Sequence, residues 1–162
     1  MSLLDQYRTL HAQGKFLGLS VVKFADDIAK TIEDAGCKTA LDFGAGQGHQ
    51  YMPPHSLDKK WGLDVTCYDP AVLGMEKLPL GKFDLVLCCD VLEHIPEDEL
   101  DDVIKTVFSK AERCAFFVVC CREAKKKLPD GRNVHLTIKP LDWWESKIGR
   151  HETVVWRLRE TP

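Results

Sequence analysis

The sequence predicts a single α/β domain: a three-layer sandwich around a mostly parallel sheet of five or six strands. Three observations predict it. Short apolar runs alternate with amphipathic segments along the chain, the order of successive βα units. Phe83 to Cys89 is apolar nearly throughout, as a parallel strand covered on both faces must be. Thr39-Ala-Leu-Asp-Phe runs straight into Gly44-Ala-Gly-Gln-Gly, and a strand entering a glycine-rich turn opens a nucleotide-binding βα unit. The 162 residues are enough for one buried core.

Each element follows in order. Leu3 to Ala12 makes a short helix, and Gly14 and Gly18 bracket an irregular stretch. Ser20 is placed to cap a helix from Val21 to Ala35, whose apolar residues recur at helical spacing until Gly36 ends it. After the first strand and its glycine turn, Pro53 and Pro54 cut short or displace the next helix. Val65 to Tyr68 is a second strand ending at Asp69-Pro70, and Phe83 to Cys89 is the third. A helix begins near Pro96, with Glu97, Asp98 and Glu99 favourable in its first turn. Cys114 to Cys121 is a fourth strand, followed by an irregular polar stretch from Arg122 to Lys139. Pro140 opens a last helix, which Gly149 stops, and Thr153 to Arg159 is a final strand. The chain thus divides into an N-terminal helical preamble (1–36), a core (37–121) and a C-terminal part (122–162).

Composition removes several function classes. Lys plus Arg is 22 and Asp plus Glu is 25, a net charge of −3 that gives no general attraction to nucleic acid or anionic membrane. The longest apolar run is far short of the roughly 20 residues that span a bilayer, and the N-terminus has no signal-peptide pattern. Seven cysteines, an odd number with no C-x-x-C spacing, fit neither a disulfide framework nor a zinc motif. Six scattered histidines show no H-x-x-x-H pattern, so no metal site is expected. Reduced cysteines in strands fit a reducing, cytoplasmic compartment. Oligomeric state is left open.

The chemistry concentrates at strand ends. Gly44 and Gly46 remove side chains where a ligand would touch backbone, Gly48 lets the next segment approach, and the turn's N–H groups suit a polar head group. Asp69 ends the second strand, where a carboxylate accepts both ribose hydroxyls.

Leu41-Asp-Phe-Gly-Ala-Gly-Gln-Gly, Tyr68-Asp-Pro and Phe83-Asp-Leu-Val-Leu-Cys-Cys-Asp-Val-Leu-Glu-His-Ile together resemble class I S-adenosylmethionine-dependent methyltransferases, which have a Rossmann-like fold. The resemblance covers about residues 38–121, and the block ending Asp-Val-Leu-Glu-His is its most specific part. It implies S-adenosyl-L-methionine as cofactor. Gly44, Ala45 and Gly46 would pass against its methionine part, with Asp42 orienting the turn toward the amino group. Asp69 would hold the ribose, Leu78 and its neighbours from Met75 the adenine, and Cys89 and Asp90 would face the sulfonium and the acceptor. The chain departs from the family between Asp69 and Phe83, where the usual helix and strand are compressed or missing. The stretch Leu128 to Trp144 is similar to small stand-alone methyltransferase-like proteins of phages and bacteria.

Three candidate catalytic residues follow: Asp90, His94 in the Glu-His block, and His135 in the 122–139 segment, which is expected to form the acceptor side. Histidine suits acid–base work near neutrality, although His94 also suits a purely loop-closing role. Lys125, Lys126 and Lys127 read as a solvated run. Trp143 and Trp144 diverge on a helix, so one packs in the core and the other is free to wall a pocket. Tyr7, His11 and Phe16 suit either a lid or the core, and His49, Gln50 and Tyr51 suit the cofactor's carboxylate end. A small-molecule acceptor such as a sugar or nucleotide sugar is expected, because the chain has no room for a target-recognition domain. Two rival readings stand beside methyl transfer: a non-catalytic cofactor-binding module or partner subunit, and an enzyme that cleaves the cofactor.

Overall fold

In the computed structural model, which describes residues 1–162, five strands run parallel in one sheet. They are β1 (Thr39–Phe43), β2 (Asp64–Tyr68), β3 (Phe83–Cys89), β4 (Ala111–Val119) and β5 (Val155–Glu160), in the spatial order β2-β1-β3-β4-β5. The helices are α1 (Leu3–Ala12), α2 (Ala25–Ala35), α3 (Leu57–Trp61), α4 (Leu100–Lys110) and α5 (Leu141–Gly149). This is a Rossmann-like α/β arrangement with five strands. No helix is long and apolar enough to cross a membrane.

Strand residues alternate between faces, so one sequence run supplies two cores. Leu41, Phe43, Val86, Cys88, Ala115, Phe117 and Val119 meet Leu100, Ile104 and Phe108 of α4 and Trp144 and Ile148 of α5. Ala40, Leu85, Leu87, Cys89, Cys114, Phe116 and Val118 meet Ile28 and Ile32 of α2 and Leu57 of α3 on the opposite face. Trp144 is the core tryptophan of its pair. Trp143 packs beside it, 5.1 Å between ring centroids, with the Lys139 ammonium 5.1 Å from its ring.

Three boundaries differ from the sequence expectation. The expected helix from Val21 begins instead as a 3-10 segment, Leu19–Phe24, and becomes α-helical only at Ala25; Ser20 caps nothing. Residues just before it are tied down, because Phe16 O accepts from Gln47 N and Leu17 O from His49 N. The chain leaves that contact through Gly18 at φ 86° and reaches α2 by tighter winding. The helix near Pro96 likewise opens with a 3-10 turn, Glu97–Glu99, before α4. Strand β4 starts earlier than expected, where Ala111 pairs Phe83, and stops at Val119, so Cys120 and Cys121 lie past its end.

The prolines act as expected. Only a 3-10 turn, His49–Tyr51, follows the glycines before the short α3. Residues 122–139 form no helix or strand beyond one isolated bridge between Lys127 and Asn133. They pack on α1 instead. Leu10, Leu128 and Val134 form a small apolar cluster, and Gln6 exchanges two hydrogen bonds with Asp130. The preamble and the C-terminal segment thus roof the carboxyl edge of the sheet together.

Candidate functional site

The strand order reverses between β1 and β3, since the chain goes first to β2 on one side and then to β3 on the other. At such a point the carboxyl ends of neighbouring strands leave a crevice. A cavity of about 730 Å³ lies there. Its floor includes Asp42, Gly44, Gly46, Asp69, Cys89, Asp90 and His94, and its roof Tyr7, His11, Phe16, Gly18 and Lys126. A second hollow of about 460 Å³, lined by Arg8, Gln47, Val72 and Glu76, shares His11, Pro70 and Ala71 with it. His11 stands between the two, its Nε2 3.9 Å from Asp69 Oδ2.

Of the sequence-predicted residues, Asp42, Gly44, Gly46, Asp69, Cys89, Asp90 and His94 line the cavity. Ala45, Gly48, Leu78 and His135 do not. Ala45 is buried inside the turn. A Cβ on Gly48 would meet the Met75 side chain at 3.4 Å. Leu78 packs against the core on the α4 face. His135 lies behind His94, with ring centroids 4.9 Å apart. Trp143 does not reach the cavity either.

The glycine turn works differently from its sequence reading. Its N–H groups are all spent within the protein: Gly44 and Ala45 donate to Tyr68 O, Gly46 to Asp69 Oδ2, Gln47 to Phe16 O, Gly48 to Ala45 O and His49 to Leu17 O. None remains for the head group the sequence suggested. A Cβ on Gly44, at φ 85°, would sit 2.3 Å from Val91 Cγ2. A Cβ on Gly46, at φ 57°, would sit 2.8 Å from Gly18 N and 3.0 Å from Phe16 O. Glycine is required here because other segments of the protein press against the turn.

Three carboxylates face the cavity. Asp42 is buried and accepts from Gln50 Nε2 at 2.8 Å and Tyr51 Oη at 2.7 Å. Burial pushes its carboxyl up to about 6, against the two hydrogen bonds that favour the charged form. Asp69 accepts from Gly46 N at 3.0 Å and Ala71 N at 2.9 Å, one on each oxygen. Burial raises it, and burial lowers the facing His11, so both tend toward neutrality. Asp90 sits at φ 54°, a left-handed conformation that Asp tolerates better than most residues, and it takes a hydrogen bond from Thr161 Oγ1.

His94 is locked. Its Nδ1 lies 2.9 Å from Val134 O, a carbonyl that only accepts, so Nδ1 carries the proton. The Tyr7 hydroxyl donates to Val134 O at 2.7 Å, and the Tyr7 and Phe16 rings meet the imidazole edge-on. Burial pushes the His94 imidazole down to about 3, so it stays neutral across the physiological range. Its Nδ1 makes the bond that a loop-closing histidine makes.

Two residues escaped the sequence reading. Lys126, taken as part of a solvated run, lies in the cavity roof with its ammonium 4.4 Å from the Phe16 ring centroid. Gln6 is buried in α1, where it holds Asp130. Neither carries a local signal, because both act through contacts more than 100 residues distant in sequence. No family model, curated protein or solved structure matches the chain.

Proposed function

We propose that the protein is a methyltransferase that takes S-adenosylmethionine and alkylates an O or N atom of a small-molecule acceptor. The observation that carries this reading is the pairing of a carboxylate-lined switch-point cavity with a glycine turn that has no free N–H group. A dinucleotide needs those N–H groups for its pyrophosphate. A cofactor with ribose hydroxyls, an ammonium and a sulfonium needs hydrogen-bond acceptors instead, and the carboxyl groups of Asp42, Asp69 and Asp90 supply them. The volume suits a ligand of that size.

The residues present fit the cofactor. Each Asp69 oxygen accepts one backbone N–H and keeps a lone pair for a ribose hydroxyl. Asp42, held by Gln50 and Tyr51, is the partner for the amino group. Cys89 and Asp90 close β3 beside the transferring methyl and the acceptor. Bound S-adenosylmethionine supplies an electrophilic methyl on a positively charged sulfur. The protein's work is then mostly alignment and exclusion of water under the roof of Tyr7, Phe16 and Lys126. Neutral His94 holds that roof, so an acceptor atom that is nucleophilic without losing a proton first fits best.

Calorimetric titration of S-adenosylmethionine, S-adenosylhomocysteine and NAD into the full chain tests the reading. The first two are expected to bind and NAD is not. Asp69→Ala removes charge-assisted hydrogen bonds of roughly 1.5–3 kcal/mol each, so affinity should fall at least about tenfold. Asp69→Asn, which keeps one acceptor oxygen, separates ribose binding from support of the Gly46 turn. No heat with either sulfur compound, or NAD binding in their place, overturns the proposal.

A further inference from the structure

Three chemically soft or charged side chains meet outside the cavity. Glu93 follows β3, Cys120 follows β4 and His135 belongs to the 122–139 segment. One ligand atom from each lies within 4.8 Å of the other two. We propose that Glu93, Cys120 and His135 bind one zinc ion, which ties the ends of β3 and β4 to the segment that roofs the cavity.

Several observations converge on that ion. Glu93 is 0% exposed. Its Oε1 accepts from Cys120 N at 3.1 Å, but its Oε2 is buried without any hydrogen-bond partner. An orphaned carboxylate oxygen costs more than almost any other buried group and calls for a cation. His135 offers the right nitrogen. Its Nδ1 lies 2.6 Å from Arg122 O, a carbonyl that takes the Nδ1 proton and leaves the Nε2 lone pair free. Metal-ligating imidazoles are oriented by such a bond on the other nitrogen. The same residue's N–H donates to Asn133 Oδ1 at 2.8 Å, which holds the segment in place. Cys120 Sγ has only a weak 3.8 Å contact with Arg122 O.

The donor set of nitrogen, sulfur and carboxylate oxygen matches zinc, which takes these at about 2.0–2.3 Å. Ligands on one tetrahedral zinc stand roughly 3.5 Å apart, so closure from the present spacing needs a movement of about 1 Å. His135, on a segment without helix or strand, is the ligand that would make it, by rotation of its side chain. Binding forms three bonds to the metal and releases to solvent the proton of the Cys120 thiol and any proton that the Glu93 carboxyl carries. With three protein ligands the fourth position goes to water. Zinc would also offset the desolvation that holds the Glu93 carboxyl above its usual range. The cluster is invisible in the sequence because its members share no motif spacing.

The test uses the full chain stripped with a chelator and titrated with zinc chloride. One equivalent is expected to bind with a Kd below about 1 μM, raising the melting temperature by roughly 5–10 °C at a hundredfold excess over Kd. Cys120→Ser and His135→Gln should each weaken binding at least tenfold, while Cys67→Ser on β2 should leave it unchanged. Cobalt substitution should give a thiolate charge-transfer band that is lost in Cys120→Ser and kept in Cys67→Ser. If Cys120→Ser does not fold in chelator, as judged by near-ultraviolet circular dichroism, the His135→Gln titration decides. Zinc binding weaker than about 10 μM, or binding that survives both ligand substitutions, overturns the proposal. Zinc and S-adenosylmethionine are titrated separately, so failure of either leaves the other proposal standing.

Discussion

Two buried polar clusters at the carboxyl edge of the sheet differ in how their carboxylates are satisfied. Around Asp42, each carboxylate and each N–H of the glycine turn has a partner, and the buried atoms without one are the amide oxygen of Gln50 and Nδ1 of His11. Gln50 and Tyr51 donate to the carboxylate, Asp69 takes the Gly46 N–H, and the turn's remaining N–H groups end on carbonyls. Around Glu93, one carboxylate oxygen has no partner, one thiol is nearly free, and one imidazole nitrogen has a spare lone pair. The first cluster holds its carboxylates in place whether or not a ligand is bound. The second is complete only when something positive enters it. A carboxylate whose hydrogen bonds are made supports a rigid binding floor, whereas one with an orphaned oxygen marks a place where the fold is waiting for a charge.

The largest break in that comparison should come from Gly46→Val. A β-branched residue is poorly tolerated at φ 57°, and its Cβ would meet the backbone of Phe16 and Gly18. Urea denaturation should show a loss of about 3 kcal/mol or more. The damage falls on the fold, since the 16–18 segment must detach, and not only on ligand binding as the sequence suggested. A loss below about 1 kcal/mol would mean that the turn tolerates a shifted preamble.

A pH series on His94→Gln comes next. The folded His94 titrates at about 3, below the ordinary imidazole value of 6.5. A depressed folded value means stability that is present above pH 6.5 and lost as pH falls toward 3. Glutamine can still donate to Val134 O but does not titrate. The variant should therefore lose about 3 kcal/mol less than the wild type between pH 7 and pH 4. Parallel curves would mean that His94 is already solvated in the folded state.

Tyr51→Phe should be milder. It deletes one donor to Asp42 and leaves Gln50 in place, at a cost of about 1.5 kcal/mol near neutral pH. Because burial already raises the Asp42 carboxyl to about 6, losing the hydroxyl should raise it further, which NMR of the carboxyl carbon would report.

The smallest effect at pH 7 is expected from Glu93→Gln in chelator, within about 1 kcal/mol of wild type, since the amide oxygen still accepts from Cys120 N. The sign reverses with pH. The Glu93 carboxyl is raised by burial, so its contribution is present below 4.5 and lost as pH rises through the raised value. The amide variant should thus become the more stable of the two at alkaline pH. A hydrogen-bond partner on Glu93 Oε2 would instead make this substitution as costly as Tyr51→Phe.

Much of the fold was legible because it rests on local pattern. All five strands were expected, and α1 falls on the residues the sequence suggests. The alternation of apolar runs and the glycines at positive φ are local properties, as is the strand-end position of Asp69. Errors fell where distant contacts override propensity. The 3-10 entry to α2 reflects the tie between residues 16–17 and the turn at 47–49. The early start of β4 reflects pairing of Ala111 with Phe83.

By itself the sequence determined the α/β class, the strand-to-glycine turn and the gathering of Asp42, Asp69, Asp90 and His94 at one edge of a sheet. Strand ends fall on the same edge whenever strands are parallel, so no tertiary detail is needed for that result. Only the tertiary structure decided what those groups do. It spent the turn's N–H groups on internal acceptors, put Lys126 over the cavity and His135 behind His94, and brought Glu93, Cys120 and His135 together. Hydrogen-bond saturation and side-chain juxtaposition depend on which segments fold back onto the sheet edge. Here those segments are residues 1–18 and 122–139, which pack by non-local contacts that leave no period in the sequence.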